Sequence, residues 1–279
     1  MKVNFKEIES KFCQDKDGHC TIAEDGMIAT QSGFATEIGK QMLKQNGNAV
    51  DASVAAALAL GVSEPQASGL GGQTMILLGD GKNVISIDGS SRAPSLAHAS
   101  AIYKDDRSIG YRATTVPSTL ATMWYTHKTY GKLDWKKIID PIIDLAEGGY
   151  PITALQEKLQ IREADNFNRV PSRSGKKYFF NEGRPYREGE IFEQADLAKL
   201  FRNIYDNGIN DFYKGKVAKQ IDADMRENGG LLRFDDLALV PNPIEREPVS
   251  GKFRGLDVFS MPPPGAGVTF LYALRMLDF

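Results

Sequence analysis

Apolar positions recur with a helical period over residues 34–45, where Phe34, Ile38, Met42 and Leu43 form one stripe. Gly47 follows as a C′ stop. Asn48 then stands where an N-cap is wanted, and Asp51 at N3 brings a carboxylate to the positive helix end. Residues 50–61 are apolar on nearly every face, which predicts a helix buried all round. Its small side chains, Ala52, Ser53, Ala55, Ala56, Ala57 and Ala59, let neighbours approach closely. The period then changes. Residues 74–78 and 84–87 read as two strands around Gly79-Asp80-Gly81-Lys82, a hairpin signal. Residues 27–30 and 113–116 read as further short strands.

Beyond Pro117 the pattern predicts a helix over 118–130, closed by Gly131. Asp134 and Asp140 each sit at an N-cap, and Pro141 fits N1 after Asp140. Residues 134–146 are therefore expected as two short helices. Residues 168–190 are polar, basic and rich in Gly and Pro, and read as a long surface loop. Helices are expected over 193–205 and 217–227, ended at Gly208 and Gly229. A hairpin is expected from 245–252 and 256–261 across Phe253-Arg254-Gly255. Pro262-Pro263-Pro264 leads into a last helix over 268–279. There is no internal repeat, and the 279 residues are expected to form a single domain.

Composition narrows the function. Hydrophobic residues make up 42% and charged residues 25%, ordinary for a globular chain. A net charge of −2 supplies no basic field for nucleic acid or an anionic membrane surface. The longest apolar run, 54–62, falls short of the roughly 20 residues that span a bilayer. The first residues, Met-Lys-Val-Asn-Phe-Lys-Glu-Ile-Glu, lack an apolar secretory core, so a cytoplasmic location is expected. Cys13, His19 and Cys20 lack a fourth ligand and zinc spacing, so free thiols or one local disulfide are expected rather than a metal site. Gly69-Leu70-Gly71-Gly72 has neither the Gly-Lys-Ser/Thr ending nor the G-x-G-x-x-G spacing of a phosphate loop, which argues against a nucleotide-binding α/β enzyme. Those glycines are expected to allow positive φ and close backbone packing. No cofactor is called for.

Taken together, Asn46-Gly47-Asn48-Ala49-Val50-Asp51-Ala52 and Glu64-Pro65-Gln66-Ala67-Ser68-Gly69-Leu70-Gly71-Gly72 resemble the signature block of the γ-glutamyltranspeptidase family of N-terminal nucleophile hydrolases. Further blocks resemble that family in the same order. They include Gly131-Lys132-Leu133-Asp134-Trp135, Ala146-Glu147-Gly148-Gly149-Tyr150-Pro151, Asp211-Phe212-Tyr213-Lys214-Gly215, Asn228-Gly229-Gly230-Leu231-Leu232, Arg246-Glu247-Pro248-Val249-Ser250-Gly251 and Ser260-Met261-Pro262-Pro263-Pro264. The resemblance implies an α/β (α+β) fold, a four-layer αββα sandwich shared by a large and a small chain. This sequence corresponds to most of the large chain and is incomplete without the nucleophile-bearing one. The resemblance further implies a zymogen that cleaves itself, a threonine nucleophile downstream of Phe279, and amide hydrolysis or acyl transfer in glutathione metabolism. The partners implied are a small-molecule amide or γ-glutamyl substrate and the downstream small chain, with a homo-oligomer left open. The alternative is a truncated, non-catalytic paralogue or fragment acting as a binding or structural module.

In γ-glutamyl enzymes of that family an Asp-x-Arg-Glu-x-Ala-Pro segment places an arginine on the substrate carboxylate, an apt use of its planar fork. Here the segment reads Asp88-Gly89-Ser90-Ser91-Arg92-Ala93-Pro94. Anchored on Ala93-Pro94, the arginine position falls at Ser90 and the glutamate position at Ser91, with Arg92 shifted by two. In a strand Arg92 would point to the same side as Ser90. Ser90, Ser91 and Arg92 are the candidate substrate-binding residues. Either they bind an acidic group on the substrate, or Arg92 is a surface arginine and the pocket takes another acyl group. No catalytic residue is assigned on this chain. Thr114-Thr115 superficially looks like a nucleophile pair but belongs to a different block, followed by Val116-Pro117. Arg112 is a second candidate anion binder, with a surface role favoured. His98 and His127, and the acid pairs Asp105-Asp106, Asp222/Asp224 and Asp235-Asp236, read as surface, packing or capping groups.

Overall fold

The structure is a computed structural model that describes residues 23–102, 108–170 and 175–278. Cys13, His19, Cys20 and Asp105-Asp106 lie outside the described residues. In chain order the elements are α1 (Gly33–Lys44), α2 (Ala49–Ser63), β1 (Thr74–Gly79), β2 (Val84–Gly89), α3 (Thr119–Tyr130), α4 (Trp135–Gly148), β3 (Tyr150–Pro151), α5 (Ala154–Arg169), α6 (Gly175–Phe179), β4 (Phe180–Asn181), β5 (Arg184–Pro185) and β6 (Ile191–Phe192). There follow α7 (Ala195–Asn207), α8 (Asn210–Lys214), α9 (Lys216–Glu227), α10 (Phe234–Ala238), β7 (Ile244–Arg246), β8 (Val249–Phe253), β9 (Leu256–Ser260) and α11 (Gly267–Met276).

Helix α2 is the centre of the packing. Val54, Ala55, Leu58, Ala59 and Val62 are at most 1% exposed, and each fully buried Val or Leu side chain contributes about 1.5–3 kcal/mol. It packs against α1, α3 and α4, while α4 packs in turn on α7. Its start is a full capping box: Asn48 Oδ1 accepts from the amides of Val50 and Asp51, and Asp51 Oδ2 accepts from Asn48 N at 2.8 Å. The preceding helix ends in a Schellman motif. Gly47 N donates to Met42 O at 2.9 Å and Asn46 N to Leu43 O at 3.1 Å. Here the expectation is corrected: Asn46, not Gly47, takes the left-handed conformation, with φ 62°. Gly47 is needed for another reason, because a Cβ there would lie 2.7 Å from Met42 O and 2.8 Å from Leu133.

Strands β1, β2 and β7 form an antiparallel sheet with β2 in the middle. The hairpin turn is set by Asp80, whose Oδ1 accepts from Lys82 N and Asn83 N at 2.8 Å, and by Gly81 at φ 86°. Helix α3 packs on β2. At its start the amides of Ser118 and Thr119 both point at Gly72 O, so the glycine-rich turn is seated against α3. Gly69, Gly71 and Gly72 all keep φ outside the positive region. The close approach falls on Gly61 instead, where a Cβ would lie 3.2 Å from Gly69 Cα, while Gly69 and Gly71 have open space.

Several expected elements came out differently. Residues 27–30 form no strand. Residues 111–113 form a 3₁₀ turn, and Val116 makes only a single bridge to Arg92. Residues 134–146 belong to one helix. Asp134 caps it through Lys136 N at 2.8 Å, and Pro141 sits inside. A proline there costs about 3 kcal/mol, but Ile138, Ile139, Ile142, Ile143 and Ala146 are all buried on one stripe that a break would split. Asp140 is an exposed mid-helix residue rather than a cap. Pro248, which has no amide to donate, divides the expected strand 245–252 into β7 and β8, and the two join different sheets. The described part of 168–190 is not a plain loop. It carries α6 and the β4–β5 hairpin, whose two turn residues Glu182 and Gly183 both have positive φ, at 50° and 82°. Aromatic residues hold it down, with Phe179 and Tyr186 packed on the buried Tyr150, Ile152 and Phe192.

Candidate functional site

A cleft of about 210 Å³ opens at the end of β2, between that strand, β7, the start of α3 and the segment 240–243. Its floor depends on Gly89. A Cβ at this position would meet Thr122 Oγ1 at 1.9 Å and Thr74 O at 2.7 Å, so only glycine lets α3 approach the strand end. Ser118 Oγ donates to Gly89 O at 2.6 Å and fixes that approach.

Asp88 organises the wall. It is 7% exposed, and a buried carboxylate needs donors to offset lost hydration. Its Oδ1 accepts from Ser90 N at 3.0 Å and from the Ser90 hydroxyl. Its Oδ2 lies 3.0 Å from Arg246 Nη2. Arg246 also donates from Nη1 to Pro263 O at 2.7 Å, and its own carbonyl accepts from Ser86 Oγ at 2.9 Å. The central strand, the edge strand and the proline turn thus meet on one guanidinium. On the other side of β7, Glu245 accepts from Tyr125 at 3.0 Å and Tyr130 at 2.6 Å. The hydrogen bond to Glu245 pushes the Tyr130 phenol up to about 12.

The three residues singled out from the sequence all line this cleft. They do so without a strand: beyond Gly89 the backbone makes only the bridge Arg92–Val116, with Val116 N donating to Arg92 O at 2.9 Å. Ser91 is held by Gln73, whose Oε1 accepts from its amide and hydroxyl at 3.2 and 3.3 Å. Arg92 is exposed and donates from Nη2 to Leu239 O at 2.8 Å. The other candidates lie elsewhere. Arg112 donates to the carbonyls of Ala101 and Gly229, and neither it nor Thr114 nor Thr115 lines the cleft. His98 pairs with Ser100 Oγ at 2.9 Å, and His127 is buried at 6% exposure. Sequence reasoning passed over Arg246. Its only signal was the start of a family-like block, with no chemical pattern to connect it to Asp88.

Among the described residues no cluster of His, Cys, Asp and Glu could hold a metal ion, and no helix is long and apolar enough to cross a membrane.

The family profile described as gamma-glutamyltranspeptidase matches residues 35–279. The chain is 36% identical over 272 residues to the glutathione hydrolase proenzyme of Escherichia coli K12, covering 93% of this chain and 46% of that protein. It therefore spans about half the length of the curated relatives it matches. Its fold is similar to the crystal structure of the Helicobacter pylori gamma-glutamyltranspeptidase, with TM-score 0.84 and 35% identity over 88% of this chain and 72% of that one. It is also similar to a cephalosporin acylase from Bacillus halodurans, with TM-score 0.82 and 29% identity over 95% of this chain and 52% of that one. The mixed helix-and-sheet fold expected of an N-terminal nucleophile hydrolase is borne out. The chain belongs to the γ-glutamyltranspeptidase family.

Proposed function

We propose that this chain is the large-chain part of a self-cleaving amide hydrolase or acyltransferase. Its nucleophile is a threonine that becomes the N-terminus of a downstream small chain. The observation that carries the reading is the cleft at the end of β2, where Asp88, Ser90, Ser91, Arg92 and Arg246 meet in a member of this family. A threonine hydroxyl beside its own α-amine, whose ordinary pKa is about 7.7–8.0, has its base at hand near neutral pH. The hydroxyl attacks the amide carbonyl, the amine portion leaves with the proton, and water or a second amine takes the acyl group from the ester. In this scheme the present chain binds and orients the acyl group through Ser90, Ser91 and Arg92. Its substrate is a small-molecule amide of the glutathione type.

Exposed apolar side chains support a partner chain. Leu77 on β1, Phe259 on β9, and Phe270, Tyr272 and Met276 on α11 are 41–66% exposed, and α11 packs on the β8–β9 hairpin, which gathers several of them in one region. A second reading concerns the acyl group. Ser90 at the family's arginine position favours an acyl group other than γ-glutamyl, and the similarity to a cephalosporin acylase agrees with it.

The test is denaturing intact-mass analysis of the protein from its own source, with N-terminal sequencing of each chain. Two chains, the smaller beginning with threonine, are expected. A single uncleaved species without amidase activity would leave the non-catalytic module as the reading.

A further inference from the structure

Strand β7 has three residues, shorter than the usual length of about five or six. Pro243 stands immediately before it and Pro248 two residues after it, and neither has an amide to donate. Among the described residues its backbone pairs only with β2, opposite Ser86, Ile87 and Asp88. So short a ladder leaves much of the placement of β7 to side chains. Successive side chains of a strand point to opposite faces. Glu245 lies across from Ile87, on the face where α3 meets Gly89, and Arg246 lies across from Ser86, on the face of Asp88. Each is tied down on its own side. Both phenols of α3, Tyr125 at 3.0 Å and Tyr130 at 2.6 Å, donate to one oxygen, Glu245 Oε1. Arg246 reaches from Asp88 Oδ2 to Pro263 O. A lone contact at an exposed carboxylate contributes little, but two that converge on one atom of so short a strand fix its place against α3.

Resting on the acyl-transfer reading above, we propose that Tyr125 and Tyr130 are positioning residues that act through Glu245. They hold β7 in place, and so set Arg246 and the Asp88 wall of the cleft from outside it. The same helix seats the cleft floor, through Ser118 and Thr122 at Gly89. Floor and wall are thereby aligned by one helix, although neither tyrosine nor Glu245 lines the cleft.

The test uses the complete protein and two probes, γ-glutamyl and glutaryl p-nitroanilide, together with backbone hydrogen exchange read by peptide mass spectrometry. Tyr125→Phe/Tyr130→Phe removes two hydroxyls and keeps both rings in the packing. It is expected to raise KM on the cleaved anilide about fivefold, whereas a mere loss of folded molecules lowers apparent kcat and leaves KM alone. Glu245→Ala is expected to match it, with Glu245→Gln between that variant and wild type. On an Arg246→Lys background the two phenylalanines are expected to raise KM by less than about twofold, because the path they act through is already cut. Exchange in the double variant is expected to quicken about fivefold or more, both in β7 and in residues 86–90. An unchanged KM, KM effects that multiply with Arg246→Lys, or no quickening in 86–90 overturns the positioning role. Where two processed chains cleave neither anilide, the self-cleaving reading stands and the exchange in 86–90 decides for or against the positioning role. A single uncleaved, inert chain overturns the acyl-transfer reading and the positioning role with it.

Discussion

Two buried aspartates, Asp51 and Asp88, do different work with the same functional group. Asp51 is fully buried and satisfied by backbone. It accepts from Asn48 N, from Lys132 N at 3.0 Å and from Leu133 N at 3.2 Å, tying the start of α2 to the turn between α3 and α4. Asp88 is satisfied mainly by side chains, Ser90 and Arg246, at the rim of a cleft. Backbone donors are fixed by the fold and vary little with sequence. Side-chain donors can be exchanged without rebuilding the backbone. The first arrangement holds the structure together, and the second shapes the wall of the candidate cleft.

Removing each carboxylate is the strongest way to break this comparison. Asp51→Ala leaves at least three amides without their acceptor, and each orphan costs about 1–3 kcal/mol, so a loss of 3 kcal/mol or more is expected in urea unfolding. A loss below about 1 kcal/mol would mean that water replaces the carboxylate. Gly89→Ala comes next. The new methyl runs into Thr122 and Thr74, and overpacking of this kind costs about 1–3 kcal/mol. If the proposed amidase reading holds, pushing α3 off the end of β2 lowers the activity of the processed protein further than the loss of folded protein explains.

Asp88→Ala sharpens the contrast. Arg246 is 36% exposed, so its charge reaches water when the partner is lost. The stability cost is expected at about 1 kcal/mol, well below that of Asp51→Ala. The proposed amidase activity of the processed protein should fall by roughly tenfold or more, because Ser90 and Arg246 lose their common anchor. Comparing urea midpoints with kcat/KM for the two variants checks the division of labour, and equal stability losses would erase it.

The smallest effect is a pH dependence. His127 Nε2 lies 3.3 Å from Asp51 Oδ1, without hydrogen-bond geometry. Burial lowers the His127 pKa from its ordinary 6.5 and outweighs the pull of Asp51. A histidine with a lowered folded pKa binds fewer protons folded than unfolded. Its contribution is therefore full above about 6.5 and is lost as pH falls from there through the folded value. Melting temperatures taken between pH 7.5 and 5 should fall with acid and fall less in His127→Gln. A slope unchanged in that variant would assign the effect to other groups.

The sequence alone determined the helices whose apolar stripe and caps agree. In α2, Asn48, Asp51 and an apolar run all point to one buried helix, and it forms as expected. Ordered blocks of residues also identified the family, and the shifted motif Asp88 to Pro94 located the candidate site. These signals are local, because caps and periodicity act within a few residues. Tertiary structure decided the rest. Pro141 stays inside α4 because a continuous buried stripe outweighs its local cost. Residues 27–30 find no neighbouring strand to pair with. Arg246 becomes part of the cleft only when β7 pairs with β2, which brings distant segments of the chain side by side. No spacing along the sequence encodes that contact; the sheet register does.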